Sequence, residues 1–194
     1  MTGRPRIVIR PACPSDHGGL RVLASELAYG PLLSRYGSDP HKLGDELCQL
    51  CTPPAGSATP TESLLVAVVD AQHHGQAAPA AAPPSSTPVT PAPAPLLGFA
   101  RYAQSGMFGS LGGYLKLIAI AASHTGQGTG SRLLAAVEDA VRIHSRDLFL
   151  LASHFNDGAH RFYGRHGYQE VGRLPDYVRT EITELIFWKR LRPK

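Results

Sequence analysis

Residues 7–10 alternate in the manner of a strand, and the spacing then changes to that of a helix. Leu20, Val22, Leu23 and Leu27 follow a Pro14-Ser15-Asp16 segment that offers a cap. Tyr29-Gly30-Pro31 interrupts this helix. A second amphipathic stretch, residues 40–51, sets Leu43, Leu47, Leu50 and Cys51 on one face. The apolar runs 63–69 and 96–102 read as buried strands paired in a hairpin. Gly112-Gly113 then precedes a strand over 114–122, a helix-like run covers 131–143, a second buried strand covers 148–153, and a last strand covers 183–190. With a short helix after residue 156, the order is strand, two helices, three strands, helix, strand, helix, strand, which predicts a mixed α/β class.

One stretch breaks the pattern. Residues 71–95 hold seven prolines and many alanines. They have almost nothing to bury, so the expectation is a disordered or polyproline-like surface excursion within the hairpin, with docking to a proline-recognising partner as the functional alternative. His73-His74 near its start has no accompanying metal ligands. At 194 residues the whole chain, 1–194, is expected to form a single domain.

Charge narrows the partners. The formal charge of +4, with nine histidines besides, is spread along the chain; it suits an acidic small molecule and equally a solvated surface. No basic stripe with interleaved aromatics argues for nucleic acid. No apolar run reaches about 18 residues, and residues 1–10 lack the apolar centre and cleavage site of a signal peptide, so a cytoplasmic location away from membranes is expected. Cys13, Cys48 and Cys51 cannot all pair, and Cys48-x-x-Cys51 lacks a second Cys or His pair at zinc spacing. They read as reduced, small buried hydrophobes.

The chemistry concentrates between the strand at 114–122 and the helix at 131–143. Gly126-Gln127-Gly128-Thr129-Gly130-Ser131 lies there. A helix that opens on a glycine turn leaves its first amides free, and its dipole adds about half a positive charge at the same place. Such a turn cradles a pyrophosphate, or else it is simply a tight connection. Lys-Ser/Thr does not follow the last glycine as in a P-loop, and the third glycine of a dinucleotide fingerprint is absent, which argues against an oxidoreductase.

The order of the following segments decides between these. After the helix come Leu148-Phe149-Leu150-Leu151-Ala152-Ser153, then Asn156, then Ala159-His160-Arg161-Phe162-Tyr163-Gly164-Arg165-His166-Gly167-Tyr168. The sequence resembles the GCN5-related N-acetyltransferase (GNAT) superfamily over residues 114–190, and residues 7–16 resemble that family's opening strand and turn. The resemblance implies a mixed, mostly antiparallel twisted sheet flanked by helices, and acetyl-CoA as co-substrate without a metal. By resemblance, Ile118, Ala119 and Ile120 hydrogen-bond the pantetheine arm through their backbone. The amides from Gly126 through Gln127, Gly128, Thr129 and Gly130 to Ser131 take the pyrophosphate. Asn156 meets the arm or a water, and Tyr163 is the general acid. Where the family has Arg or Gln the chain has Thr125, which predicts a weaker cradle; Gln127, Thr129, Ser131 and Arg132 offer further donors.

Alternative readings stay open for these residues. Tyr163 is otherwise a core aromatic beside Phe162 and Tyr168, and Asn156 a turn residue. No general base stands out: Lys116 is the only charged residue of the 114–122 strand, while Glu26, Asp45, Glu46 and His124 are candidates. Water relayed to solvent is the expectation. Residues 172–179 read as the family's loop between its last two strands, with Asp176 and Tyr177 either at the acceptor or in an ordinary turn. The function expected is N-acetylation of a primary amine of a small molecule, peptide or protein. The alternative is a catalytically weak CoA-binding regulatory or interaction protein of the same fold. A homodimer is compatible with this sequence, which carries no motif that fixes oligomeric state.

Overall fold

The computed structural model describes residues 6–30, 33–52, 62–70, 95–107 and 112–191. Apart from Pro95, the proline- and alanine-rich stretch lies outside the described residues, as do His73 and His74. The chain runs β1 (Ile7–Pro11), α1 (His17–Ala28), a 3-10 turn (Leu33–Tyr36), α2 (Pro40–Gln49), β2 (Ser63–Val69), β3 (Leu96–Met107) and β4 (Gly112–Ile120). It continues through α3 (Thr129–Arg142), β5 (Asp147–Ser153), α4 (Asp157–Arg165), β6 (Gln169–Pro175) and β7 (Thr183–Arg190). Among the described residues these strands form one sheet, ordered β1-β2-β3-β4-β5-β7-β6. Every neighbouring pair is antiparallel except β4 and β5.

The continuous apolar run of β2 is explained by burial on both sheet faces. Leu64, Val66 and Val68 point into a core built with Leu20 and Leu23 of α1 and Leu47 of α2. Leu65 and Ala67 point into a second core with Leu133, Leu134, Val137 and Val141 of α3 and Tyr163 of α4. The period of two along the strand thus divides the molecule into two layers of helix on one sheet.

Several boundaries differ from the sequence reading, each for a local reason. Asp16 does not cap α1 with its side chain: its carboxylate takes Arg10 at 2.7 and 2.8 Å and the Cys13 N–H at 2.9 Å. Asp39 does cap α2, accepting from the His41 and Lys42 amides. β4 begins two residues earlier and ends at Ile120, because Ala122–His124 coils into a 3-10 turn. Residues 169–175 form the edge strand β6, so the loop before β7 starts only at Asp176. Apart from Gly172 and Leu174 this strand is exposed, which removes the apolar alternation that would have revealed it, and an edge tolerates Pro175.

Gly98 fixes how closely β3 approaches β4. A Cβ built there would lie 2.5 Å from the Ala119 carbonyl oxygen and 2.7 Å from Ile120 Cδ1. The backbone contact leaves no flexible group to move aside, so Gly98→Ala is expected to destabilise the fold by about 1–3 kcal/mol, as overpacked cores do. Urea unfolding checks this as a lowered midpoint at constant slope.

Candidate active site

The parallel ladder between β4 and β5 pairs Gly112 with Asp147 through Leu115 with Leu150 and goes no further. Beyond it β4 stays with β3 as far as Ile120, while β5 stays with β7 as far as Ser153. Held by different neighbours in a twisted sheet, the two strands separate. The edge of β4 over residues 116–120 therefore has no ladder partner in β5.

A cavity of about 530 Å³ fills the gap. Its walls are Leu115, Ile118 and Ile120 of β4 and Leu151, Ala152 and Ser153 of β5, with Asn156, Ala159 and Tyr163 below and Leu27, Leu33 and Tyr36 from the α1–α2 side. Ile118 and Ile120 line it; Ala119 does not and is buried in the α1/α2 core instead. Thr125 stands at one end.

Past Thr125 comes the glycine turn. Gly126 and Gly128 have φ of +72° and +83°, where side chains are strained, and a Cβ on either would meet nothing within 4 Å. Gly128 is the N-cap of α3 and brings no capping side chain, so the opening amides of the helix have no side-chain acceptor from the cap. Thr129 is buried, and its Oγ1 has no hydrogen-bond partner among the described residues. Of the other donors, Gln127 Nε2 turns to the Ser123 carbonyl at 3.2 Å and Arg132 to the Ile7 carbonyl at 2.7 Å. Thr125 Oγ1 donates to the Ala122 carbonyl at 3.0 Å. These side chains brace the turn, and what the turn offers an anion is its backbone.

On α4, Asn156 is the N-cap: its Oδ1 accepts from the Ala159 N–H at 3.0 Å, leaving Nδ2 as its group for a ligand. Tyr163 is buried with an edge-on contact to Phe162, and burial raises its pKa above the ordinary tyrosine value, so the phenol is protonated at neutral pH. Tyr168 serves the core, donating to Glu138, which also takes Lys189 on both oxygens at 2.8 Å.

The base candidates scatter. Asp45 pairs with Arg21, Glu46 with Arg101, and His124 with Ser123 Oγ at 2.9 Å; only Glu26 lines the cavity. Lys116 bonds Glu62. Asp176 closes its own loop, accepting from the Glu181 N–H at 2.6 Å. The sequence reading missed Tyr36, whose hydroxyl bonds Ser153 Oγ and donates to Glu184. A single carboxylate inside the apolar run Thr183–Arg190 was the available signal.

Cys48 and Cys51 are buried and all three cysteines are free. Burial raises the Cys48 thiol and, helped by neighbouring thiols and Asp16, pushes Cys51 up to about 11, so both stay protonated. Among the described residues no group of three or more His, Cys, Asp or Glu is placed to hold a metal, and no helix is long and apolar enough to cross a membrane.

The chain shares its mixed α/β fold, a seven-stranded and mostly antiparallel sheet flanked by helices, with GNAT acetyltransferases among the solved structures. Residues 94–170 match the family model of the acetyltransferase (GNAT) domain. No curated protein matches the chain by sequence. Among solved structures, a protein assigned to the GNAT family of acetyltransferases from Desulfovibrio desulfuricans is similar at TM-score 0.66 and 18% identity, over 96% of this chain and 100% of that one. NAA60 of Arabidopsis thaliana with a bisubstrate analogue follows at 0.65 and 15%, over 96% and 100%. An aminoglycoside 6'-N-acetyltransferase complexed with coenzyme A gives 0.62 and 16%, over 96% and 98%. At these identities the likeness is one of fold.

The site tyrosines give the protein an alkaline limit. Burial first, then the bond to Glu184, pushes Tyr36 from 10.0 up to about 12; burial first, then Tyr177 and Glu184, does the same for Tyr114. Folded-state values above the unfolded ones mean a contribution to stability fully present below about pH 10 and lost as pH rises towards 12. The urea midpoint is expected to fall across that window and to fall less in Tyr114→Phe. A midpoint that stays flat there would contradict both shifts.

Proposed function

We propose that the protein is an acetyl-CoA-dependent N-acetyltransferase acting on a primary amine of a small molecule or peptide. The observation that carries this is the cavity between the splayed ends of β4 and β5, which has the glycine turn at one end and the protonated Tyr163 in its wall. The coenzyme A and acetyl-CoA complexes among proteins of the same fold support the choice of co-substrate.

The residues present fit such a molecule. The unladdered edge of β4 at Ile118, Ala119 and Ile120 suits the amides of a pantetheine arm, and the turn from Thr125 to Ser131 suits a pyrophosphate, since neither Gly126 nor Gly128 carries a Cβ into the open space before it. Asn156 Nδ2 would orient the arm. When bound, the thioester supplies an activated acetyl group. Tyr163 holds a proton that it can give to the departing thiolate, which spares the reaction from expelling an unprotonated leaving group. The apolar walls keep water away from the thioester, and the sheet fixes donor and amine in relative orientation.

A second reading, a CoA-binding protein with little turnover, draws on Thr125, whose hydroxyl is engaged within its own turn. Calorimetry separates cradle from chemistry. The protein is expected to bind acetyl-CoA, and Gly128→Glu, which adds bulk and negative charge at the helix N-terminus, is expected to abolish binding; unaltered binding by a folded variant would contradict the cradle. Tyr163→Phe should bind as before and lose about 10²–10⁴-fold in kcat, measured as thiol release. Unchanged turnover would remove Tyr163 from the mechanism.

A further inference from the structure

We propose that Glu184 of β7, acting through the phenol of Tyr36, takes the proton from the attacking amine. This rests on the N-acetyltransferase reading and supplies the base that β4 lacks. Glu184 is 4% exposed, in a strand that is otherwise apolar from Leu185 to Phe187, and no lysine, arginine or histidine pairs with it among the described residues. A buried carboxylate without a cation is costly and needs a reason. The other carboxylates near the cavity have cations or solvent: Glu62 takes Arg101 and Lys116, Glu46 takes Arg101, and Glu26 is exposed.

Tyr36 connects Glu184 to substrate space. Its hydroxyl donates to Glu184 and bonds Ser153 Oγ. Tyr36 lines the cavity between β4 and β5 and also an adjoining hollow of about 710 Å³ lined by α2, Lys116, Leu117 and Val178. An amine entering by that hollow and a thioester lying in the cleft would meet beside Tyr36. The groups that surround the pair are Tyr114 of β4, Tyr177 of the β6–β7 loop, His154 bonded to Thr183, and His160 of α4, whose Nε2 meets the Ser153 carbonyl. Arg35 lies over Phe155 at 4.4 Å and Arg179 donates to the Arg35 carbonyl, so both guanidiniums are engaged away from Glu184.

The proton path balances. An ammonium N–H passes its proton to Tyr36 Oη as the Tyr36 proton passes to Glu184. The freed lone pair forms the C–N bond while the C–S bond breaks, and Tyr163 protonates the sulfur. The second proton lost by nitrogen restores Tyr163, and Glu184 returns its proton to solvent through Tyr36. One amide, one thiol and one released proton result.

The test compares wild type, Glu184→Gln and Tyr36→Phe by acetyl-CoA calorimetry and by thiol release with a panel of polyamines, aminoglycosides and short peptides. Glutamine keeps an acceptor for the Tyr36 hydroxyl and removes only the proton acceptor. We expect normal acetyl-CoA affinity, kcat lower by about 10²-fold or more, and loss of the acid limb of the kcat/KM profile. Tyr36→Phe, the second variant should Glu184→Gln misfold, is expected to lose kcat similarly with acetyl-CoA binding kept. Wild-type kcat and an unchanged pH profile in folded Glu184→Gln would overturn the proposal. So would a wild type that binds acetyl-CoA yet acetylates no panel amine, whereas failure to bind acetyl-CoA would overturn the parent reading.

Discussion

The rest of the site depends on where one ladder stops. Four residue pairs join β4 to β5, and after Leu115 and Leu150 each strand answers to a different neighbour. An unpaired strand edge in a core is ordinarily a liability, since its N–H and C=O groups need partners. Here the unpaired edge opens onto a cavity of about 530 Å³, where water or an extended polar molecule can take up its N–H and C=O groups. The same divergence carries the ends of β4 and β5 apart, which lets the Ala122–His124 turn launch α3 on one side and Asn156 launch α4 on the other. A glycine-opened helix and a tyrosine-bearing helix are thus delivered to one space by one geometric event.

Two buried carboxylates show how the same group is put to different ends. Glu138 of α3 is closed in by Lys189 of β7 and Tyr168, joining three segments behind the sheet. Its charge is matched and its oxygens are bonded, the arrangement expected of a buried pair that persists. Among the described residues, Glu184 has the Tyr36 hydroxyl and no cation to answer it. A hydroxyl satisfies a hydrogen bond without neutralising the charge. The contrast lies in the partner, not in the depth of burial.

The sheet was legible because its signals are local. The run 63–69 is apolar on both faces, and residues 183–190 read as a strand with the bounds observed. Gly126 and Gly128 were legible for a similar reason, since a strand-to-helix turn with positive φ has few residue choices. β6 was not, because an edge strand in solvent needs no apolar alternation. Nor was the pairing of Tyr36 with Glu184, 148 positions apart. Tyr36 reads as one aromatic in a Gly- and Pro-rich connection, and only the fold brings it over β7. Arg132 and Gln127 looked like donors for a ligand, yet each finds a nearer carbonyl; residue type gives capacity, and geometry decides who uses it.

Thr125 shows why a departure from a family pattern need not empty a site. The threonine hydroxyl bends back to the Ala122 carbonyl and tightens the turn by a bond of 3.0 Å. A net neutral hydrogen bond is worth only about 1 kcal/mol, so this brace is modest. What it holds in place counts for more: the amides that follow Gly128, backed by the positive end of a helix that runs to Arg142. Side-chain donors add to such a cradle, but they cannot create it, because the convergence of several N–H groups on one point is a property of the backbone. With Thr125, Gln127 and Arg132 all turned towards the protein, an anion at this turn would be held by main chain and helix dipole. Its binding would then depend less on any one side chain here than on the left-handed conformations of Gly126 and Gly128.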